Sequence, residues 1–127
     1  MHIHHIAIWT ADLEMMKDFY VKYFNCRAGE KYVNPLRRFS SYFLEFDNGA
    51  SIELMNRYDV TESRLNDAIG LAHIALNAGS REEVDRMTSF FENEGIRIAG
   101  RPRQTGDGCY ESVILDPEGN VVELVAK

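Results

Sequence analysis

His5-Ile6-Ala7-Ile8 near the start of the chain and His73-Ile74-Ala75-Leu76 past its middle are nearly the same phrase written twice. A second pair follows in step, Ile52-Glu53-Leu54 and Val122-Glu123-Leu124. The offsets nearly agree, from 5 to 73 for the histidines and from 53 to 123 for the glutamates. A repeat of this kind, with one His and one Glu in each copy, reads as a duplicated module. Two imidazoles and two carboxylates together are a donor set that suits a divalent metal.

The elements around these phrases repeat in the same order. Residues 3–9 alternate like a strand, with Ile6 and Ile8 on one face and His5, Ala7 and Trp9 on the other. Asp12 caps a helix to about residue 24, whose apolar stripe is Leu13, Met16, Phe19/Tyr20 and Tyr23/Phe24, and Asn25 ends it. Strands are expected at about 26–33, 38–47 and 50–56, the last two joined by the hairpin signal Asp47-Asn48-Gly49. In the second half a strand over 71–77 precedes the capping box Ser80-x-x-Glu83 and a helix to about 94, with Val84, Met87 and Phe90/Phe91 inward. Gly95 stands where Asn25 stood. Strands at about 96–101, 109–115 and 121–126 follow, the last two joined through Asp116-Pro117-Glu118-Gly119-Asn120, a type I turn closed by a left-handed Gly. The expected architecture is α+β, βαβββ written twice. One domain spans 1–127, with module one at about 1–57, a polar connector at about 58–70 and module two at about 71–127. Neither module buries its sheet alone, so the two are expected to pack together or across a dimer.

Composition narrows the partners. At 127 residues and 45% apolar, the chain is long enough for one domain with a real core. No run of about 18 apolar residues occurs, and no basic region followed by an apolar one opens the chain. Neither a membrane span nor a signal peptide is therefore expected. A net charge of −6 argues against nucleic acid, since phosphate binding wants a basic face. Cys26 and Cys109 lie far apart without zinc-ligand spacing, which fits free thiols in a reducing cytoplasm. Arg37-Arg38 and Arg97, Arg101 and Arg103 are small basic clusters, too few to track a nucleic acid but suited to a small anion.

Strand alternation fixes which way the repeated polar residues point. If Ile6 and Ile8 pack under the helix, His5 faces away. Ile52 and Leu54 inward leave Glu53 opposite. Ala72, Ile74 and Leu76 inward leave His73 opposite, and Val122 and Leu124 do the same for Glu123. A single Glu between apolar residues is ordinarily a solvent-facing residue on a half-buried sheet. Duplication at matched places has no packing reason to keep these polar types, so His5, Glu53, His73 and Glu123 are expected to bind a metal. His2 and His4 fall on the wrong face or at the chain end. Zinc, nickel, cobalt, manganese and iron(II) all suit two neutral imidazoles and two carboxylates. In an octahedral site two cis positions stay open for a substrate with adjacent oxygens, where the metal stabilises an enediolate and a loosely held carboxylate moves the neighbouring proton.

With these residues the chain resembles the vicinal oxygen chelate superfamily (the glyoxalase–bleomycin resistance–dioxygenase family), and most closely its glyoxalase I branch. The resemblance runs through HIAI, DLEMMKDFYVKYFN, SIELM, GLAHIALN and the closing DPEGNVVELV. It implies paired βαβββ modules forming a cupped mixed sheet with the metal on its concave face, and His5, Glu53, His73 and Glu123 as the ligands. Glyoxalase I-like members carry Glu where this chain has Glu53. Methylmalonyl-CoA epimerases usually have Gln there, extradiol dioxygenases and fosfomycin-modifying thiol transferases use three protein ligands, and bleomycin-resistance proteins commonly lack the set. One position departs. Glyoxalase I typically places an Arg four residues after the first His to hold a carboxylate of glutathione, and Trp9 stands there instead. Trp offers no charge-assisted fork to a carboxylate. Asn56 lies one place before the position of another typical glutathione contact.

The resulting expectation is a metal-dependent lyase or isomerase of the glyoxalase I type, lactoylglutathione lyase-like, acting on a hemithioacetal or another small molecule with vicinal oxygens, with a thiol still to be identified. Glu123 is the expected base and Glu53 its partner. Trp9, Phe39, Tyr42, Phe43 and Met55 are the expected pocket wall, with Arg37 or Arg38 available to an anionic group. The alternatives are a metal-binding protein that sequesters a small molecule, an epimerase and a dioxygenase. A cytoplasmic homodimer without nucleic-acid or membrane partners completes the expectation.

Overall fold

Each half of the chain builds its own sheet around its own helix. The computed structural model describes residues 1–63 and 69–127 and divides into two compact units, Met1–Arg64 and Leu65–Lys127. Positions 64–68 of the expected connector lie outside the described residues.

In unit one, β1 (His5–Trp9) leads into α1 (Leu13–Phe24), followed by β2 (Arg27–Ala28), β3 (Tyr32–Asn34), β4 (Phe39–Glu45) and β5 (Ser51–Arg57). The Asp12 carboxylate accepts the Met15 N–H at 2.9 Å and starts α1, and Asn25, at φ 51°, ends it in the left-handed region. The sheet runs β1-β5-β4-β2, with β3 also on β4 and β1 parallel to β5. The single strand expected over 26–33 is two short ones. Ala28 pairs with Leu44 and Tyr32 with Ser41, so the β2–β3 side spends one residue more than β4 over this stretch. Gly29-Glu30-Lys31 takes up the excess as an interruption of the ladder. Met16, Tyr20, Leu44 and Leu54 are fully buried where α1 lies on β4 and β5. Each such side chain contributes about 1.5–3 kcal/mol relative to exposure.

Unit two is βαβββ as expected: β6 (Ile74–Asn77), α2 (Arg81–Asn93), β7 (Ile98–Gln104), β8 (Tyr110–Leu115) and β9 (Val121–Ala126), in the sheet order β6-β9-β8-β7. Ser80 Oγ accepts the Glu83 N–H at 3.1 Å, one half of the capping box. The other half is not made, because the Glu83 carboxylate turns along the helix to Arg86. At the far end Gly95, at φ 78°, donates to the Glu92 carbonyl and Ile96 to that of Phe91, the paired bonds of a Schellman ending. Asp116 is buried in the β8–β9 turn, and its carboxylate accepts the N–H groups of Glu118 and Asn120 and the Asn120 side-chain amide. Three donors satisfy a charge that burial would otherwise penalise.

Two expectations about inward faces fail here. Phe90 is 44% exposed, and Thr88 takes the inward position between Val84 and Phe91. Spacings of four and three along a helix bring 84, 88 and 91 to one side. Thr88 is tolerated there because its hydroxyl donates to the Val84 carbonyl at 2.6 Å and stands 2.7 Å from Ser112 Oγ. Ala72, expected inward, is exposed, because β6 begins only at Ile74.

Candidate metal centre

Parallel pairing of the first and last strand of each unit brings one His to one Glu. In unit one Ala7 lies opposite Glu53, and in unit two Ala75 lies opposite Glu123. The His is two residues before that Ala in both, so the same register sets both pairs. His5 Nε2 stands 3.8 Å from Glu53 Oε2, and His73 Nε2 stands 3.3 Å from Glu123 Oε2. Both glutamate side chains are 16% exposed, and both histidines are more open. The flanking Ile52, Leu54, Val122 and Leu124 are all buried on the helix side.

Each pair meets the outer distance limit for two donors of one divalent cation. Nitrogen and oxygen donors at about 2.0–2.2 Å from one ion can stand no more than about 4.2–4.4 Å apart, and both pairs lie within that reach. Among the described residues no group of three or more His, Cys, Asp or Glu side chains is placed to hold one metal ion, and within each unit one His stands beside one Glu.

Sequence reasoning missed one neighbour. His4 Nδ1 lies 2.9 Å from His5 Nδ1, a contact that occupies the ring nitrogen of His5 remote from Glu53. A bond at Nδ1 orients an imidazole and leaves Nε2 as the donor. The adjacency of His4 was visible, but strict strand alternation assigned it to the opposite face, and the chain at His4 precedes β1. Phe43, across from Glu53 on β4, meets the His5 ring edge-on at 5.2 Å between centroids.

The expected pocket wall divides. Trp9, Met55 and Phe39 share the face of His5 and Glu53: Trp9 pairs with Met55, and Phe39 with Arg57. Tyr42 does not belong with them. It pairs with Leu54, on the helix side, and its hydroxyl donates to the Glu14 carboxylate of α1. Asn56 is likewise committed, its amide donating to the carbonyls of Thr10 and Ala11 and tying the turn between β1 and α1. Cys26 is a buried free thiol whose pKa burial pushes up, which makes it a poor nucleophile or ligand.

A duplicated strand–helix–sheet unit defines a fold class, and comparison with known proteins agrees with that fold. The chain belongs to the Glyoxalase/Bleomycin resistance protein/Dioxygenase superfamily, whose family model matches residues 2–124. It is similar to the uncharacterized protein YqjT of Bacillus subtilis, 28% identical over 131 residues that cover 98% of each chain. Its fold is similar to glyoxalase I from Zea mays, with a TM-score of 0.81 at 21% identity over 99% of this chain. This chain spans only 44% of that Zea mays protein. It is also similar in fold to the trypanothione-dependent glyoxalase I of Leishmania major, with a TM-score of 0.77 and 23% identity, covering 98% of this chain and 86% of that one. No helix among the described residues is long and apolar enough to cross a membrane.

Proposed function

We propose that the protein is a metal-dependent lyase or isomerase of the glyoxalase I type, acting on a small molecule with two adjacent oxygens such as the hemithioacetal of a 2-oxoaldehyde. The observation that carries this reading is the repeated pair, His5 with Glu53 and His73 with Glu123, set by one strand register in both units. These four residues would hold the ion, zinc, nickel, cobalt, manganese or iron(II) by donor type. When bound, the ion draws electron density from the substrate oxygens and makes the neighbouring C–H more acidic.

The chain's own residues then carry the proton. Glu123 accepts it from the thiol-bearing carbon and returns it to the adjacent carbon, which turns the hemithioacetal into a 2-hydroxy thioester without net oxidation. Glu53 is its counterpart on the other side. The half-buried setting of both carboxylates limits competition from bulk water. Trp9, Phe39, Phe43 and Met55, on the face of His5 and Glu53, would line the substrate. A protein of similar fold, the glyoxalase I of Leishmania major, is trypanothione-dependent. A cytoplasmic setting fits this reading, since free Cys26 and Cys109 persist in a reducing compartment, and a homodimer is proposed with it.

The test is turnover. Protein loaded separately with nickel, zinc or manganese is given methylglyoxal with glutathione or another cellular thiol, and thioester absorbance is followed. Thioester formation with at least one metal is expected. Stoichiometric metal binding without turnover of any adduct would favour a sequestering protein, and oxygen uptake with a catechol would favour a dioxygenase.

A further inference from the structure

Asn48-Gly49 lies in the link 46–50 between β4 and β5, and both residues are exposed. Gly49 sits at φ 91°, and a side chain built on it would meet nothing within 4 Å. Among the described residues neither Asn48 nor Gly49 makes a hydrogen bond, through main chain or side chain. Asp47 is tied to Arg27 Nη1 at 3.0 Å, so the turn is anchored just before the pair and not at it.

An asparagine carries an amide carbon, Cγ, within reach of the main-chain nitrogen of the next residue. A bond between the two is ordinarily prevented by a crowding side chain on that next residue, or by a hydrogen bond that holds its N–H. Glycine removes the first obstacle, and the unpaired Gly49 N–H removes the second. The other turns keep theirs. In the matching β8–β9 turn Glu118 precedes Gly119, whose N–H donates to the Asp116 carbonyl at 3.0 Å. In the β7–β8 hairpin the Gly108 N–H donates to the Thr105 carbonyl at 3.2 Å, and the Asp107 carboxylate accepts the Thr105 hydroxyl and the Cys109 N–H. The side-chain amides of Asn56 and Asn120 are committed to Thr10, Ala11 and Asp116. Asn34 is followed by Pro35, which has no N–H to give up.

We propose that Asn48 is a self-modification site, at which the Gly49 main-chain nitrogen closes a succinimide ring on the Asn48 side chain. The nitrogen bonds to Cγ, the Cγ–Nδ2 bond breaks, and ammonia leaves with the proton that Gly49 loses. Water then opens the ring. Opening at the side-chain carbonyl leaves an aspartyl residue at position 48. Opening at the main-chain carbonyl leaves an isoaspartyl link, in which the chain runs through the former side chain. Water is the only co-reactant. Either product adds one carboxylate, which takes the formal net charge from −6 to −7. The isoaspartyl form also lengthens the main chain by one carbon. Ser51 follows two residues after Gly49, donates its N–H to the His4 carbonyl at 3.0 Å and pairs with His5. The change therefore falls beside the strand pairing that places His5. It depends on neither a metal nor the lyase reading.

The full chain is held folded in mildly alkaline buffer, with a second sample unfolded in urea, and both are followed by ion exchange, intact mass and peptide mapping. Isoaspartyl groups are counted by methyl transfer from S-adenosylmethionine, catalysed by an isoaspartyl methyltransferase. The folded parent should accumulate a form with one added negative charge, mapped to the peptide that holds residues 48 and 49, and part of it should accept methyl groups. Asn48→Gln should lose that form, because its longer side chain would have to close a six-membered ring. If Asn48→Gln fails to fold by circular dichroism, the peptide map of the parent decides alone. Added charge that maps to a different asparagine, that persists in folded Asn48→Gln, or that forms in urea and not in the folded chain would overturn the site.

Discussion

Across from Glu53 on β4 stands Phe43, and across from Glu123 on β8 stands Val113. Two residues further along the last strand of each unit, Met55 faces Ser41 in unit one, while Val125 faces Glu111 in unit two. Glu111 is almost buried and holds Arg103 Nη2 at 2.9 Å, so the cation on that face of unit two is already matched. In unit one Arg37 and Arg38, beside an open hollow that Asp59 also lines, have no such partner among the described residues. The donor register is therefore a property of backbone pairing that both units keep, whereas the side chains around it have separate tasks. In unit two the Glu lies nearer its His than in unit one.

The comparison breaks most readily at the two glutamates. Glu123→Gln should lower turnover by roughly 10²–10⁴-fold, the range for loss of a general base, and Glu53→Gln should cost less. Metal analysis of the same preparations should show Glu123→Gln retaining more ion than His5→Ala. Equal losses from the two Glu variants would mean that the units share the proton transfer, and full activity in both Glu123→Gln and His5→Ala would remove the assignment of roles.

A smaller effect is expected at the helix starts. Asp12→Ala and Ser80→Ala each delete a side-chain acceptor for the N–H three residues on, at 2.9 and 3.1 Å. Each should cost about 0.5–2 kcal/mol in urea denaturation. A cost confined to one of them would show that the two caps do not act alike.

The smallest effect belongs to unit one alone. A hydrogen bond from Lys31, aided by Tyr42, holds the exposed Glu14 carboxyl below its ordinary pKa of 4.5. A depressed carboxyl stabilises the fold above its unfolded pKa and stops doing so as pH falls through the lower folded value. Parent and Glu14→Gln should therefore differ in urea midpoint at pH 7 and converge in acid. A difference that persists or grows in acid would contradict this origin.

Most of the fold was legible because its punctuation is local. Asp12, Asn25, Ser80, Gly95 and Gly119 each sit where one residue's own chemistry starts, stops or turns the chain, and the structure uses all of them that way. The His–Glu pairs were legible because alternation assigns faces and repetition flags the unusual ones. What escaped depended on partners far away in sequence. Thr88 reads as polar until Ser112 accepts its company, and Tyr42 reads as a pocket aromatic until its register against Leu54 is known. The hollow at Arg38 gathers side chains near 9, 32–39 and 57–59, which no window of sequence contains together.

Each His–Glu pair also has a mechanical meaning. It joins the opening strand of a unit to its closing strand, β1 to β5 and β6 to β9, the two that the chain synthesises furthest apart. On the metal-dependent reading, an ion held by His5, Glu53, His73 and Glu123 would act as a fastener across the ends of a unit, gripping only after its last strand has docked. Occupancy would then report completed folding, and a frayed terminal strand would release the metal before the helix-backed core gave way.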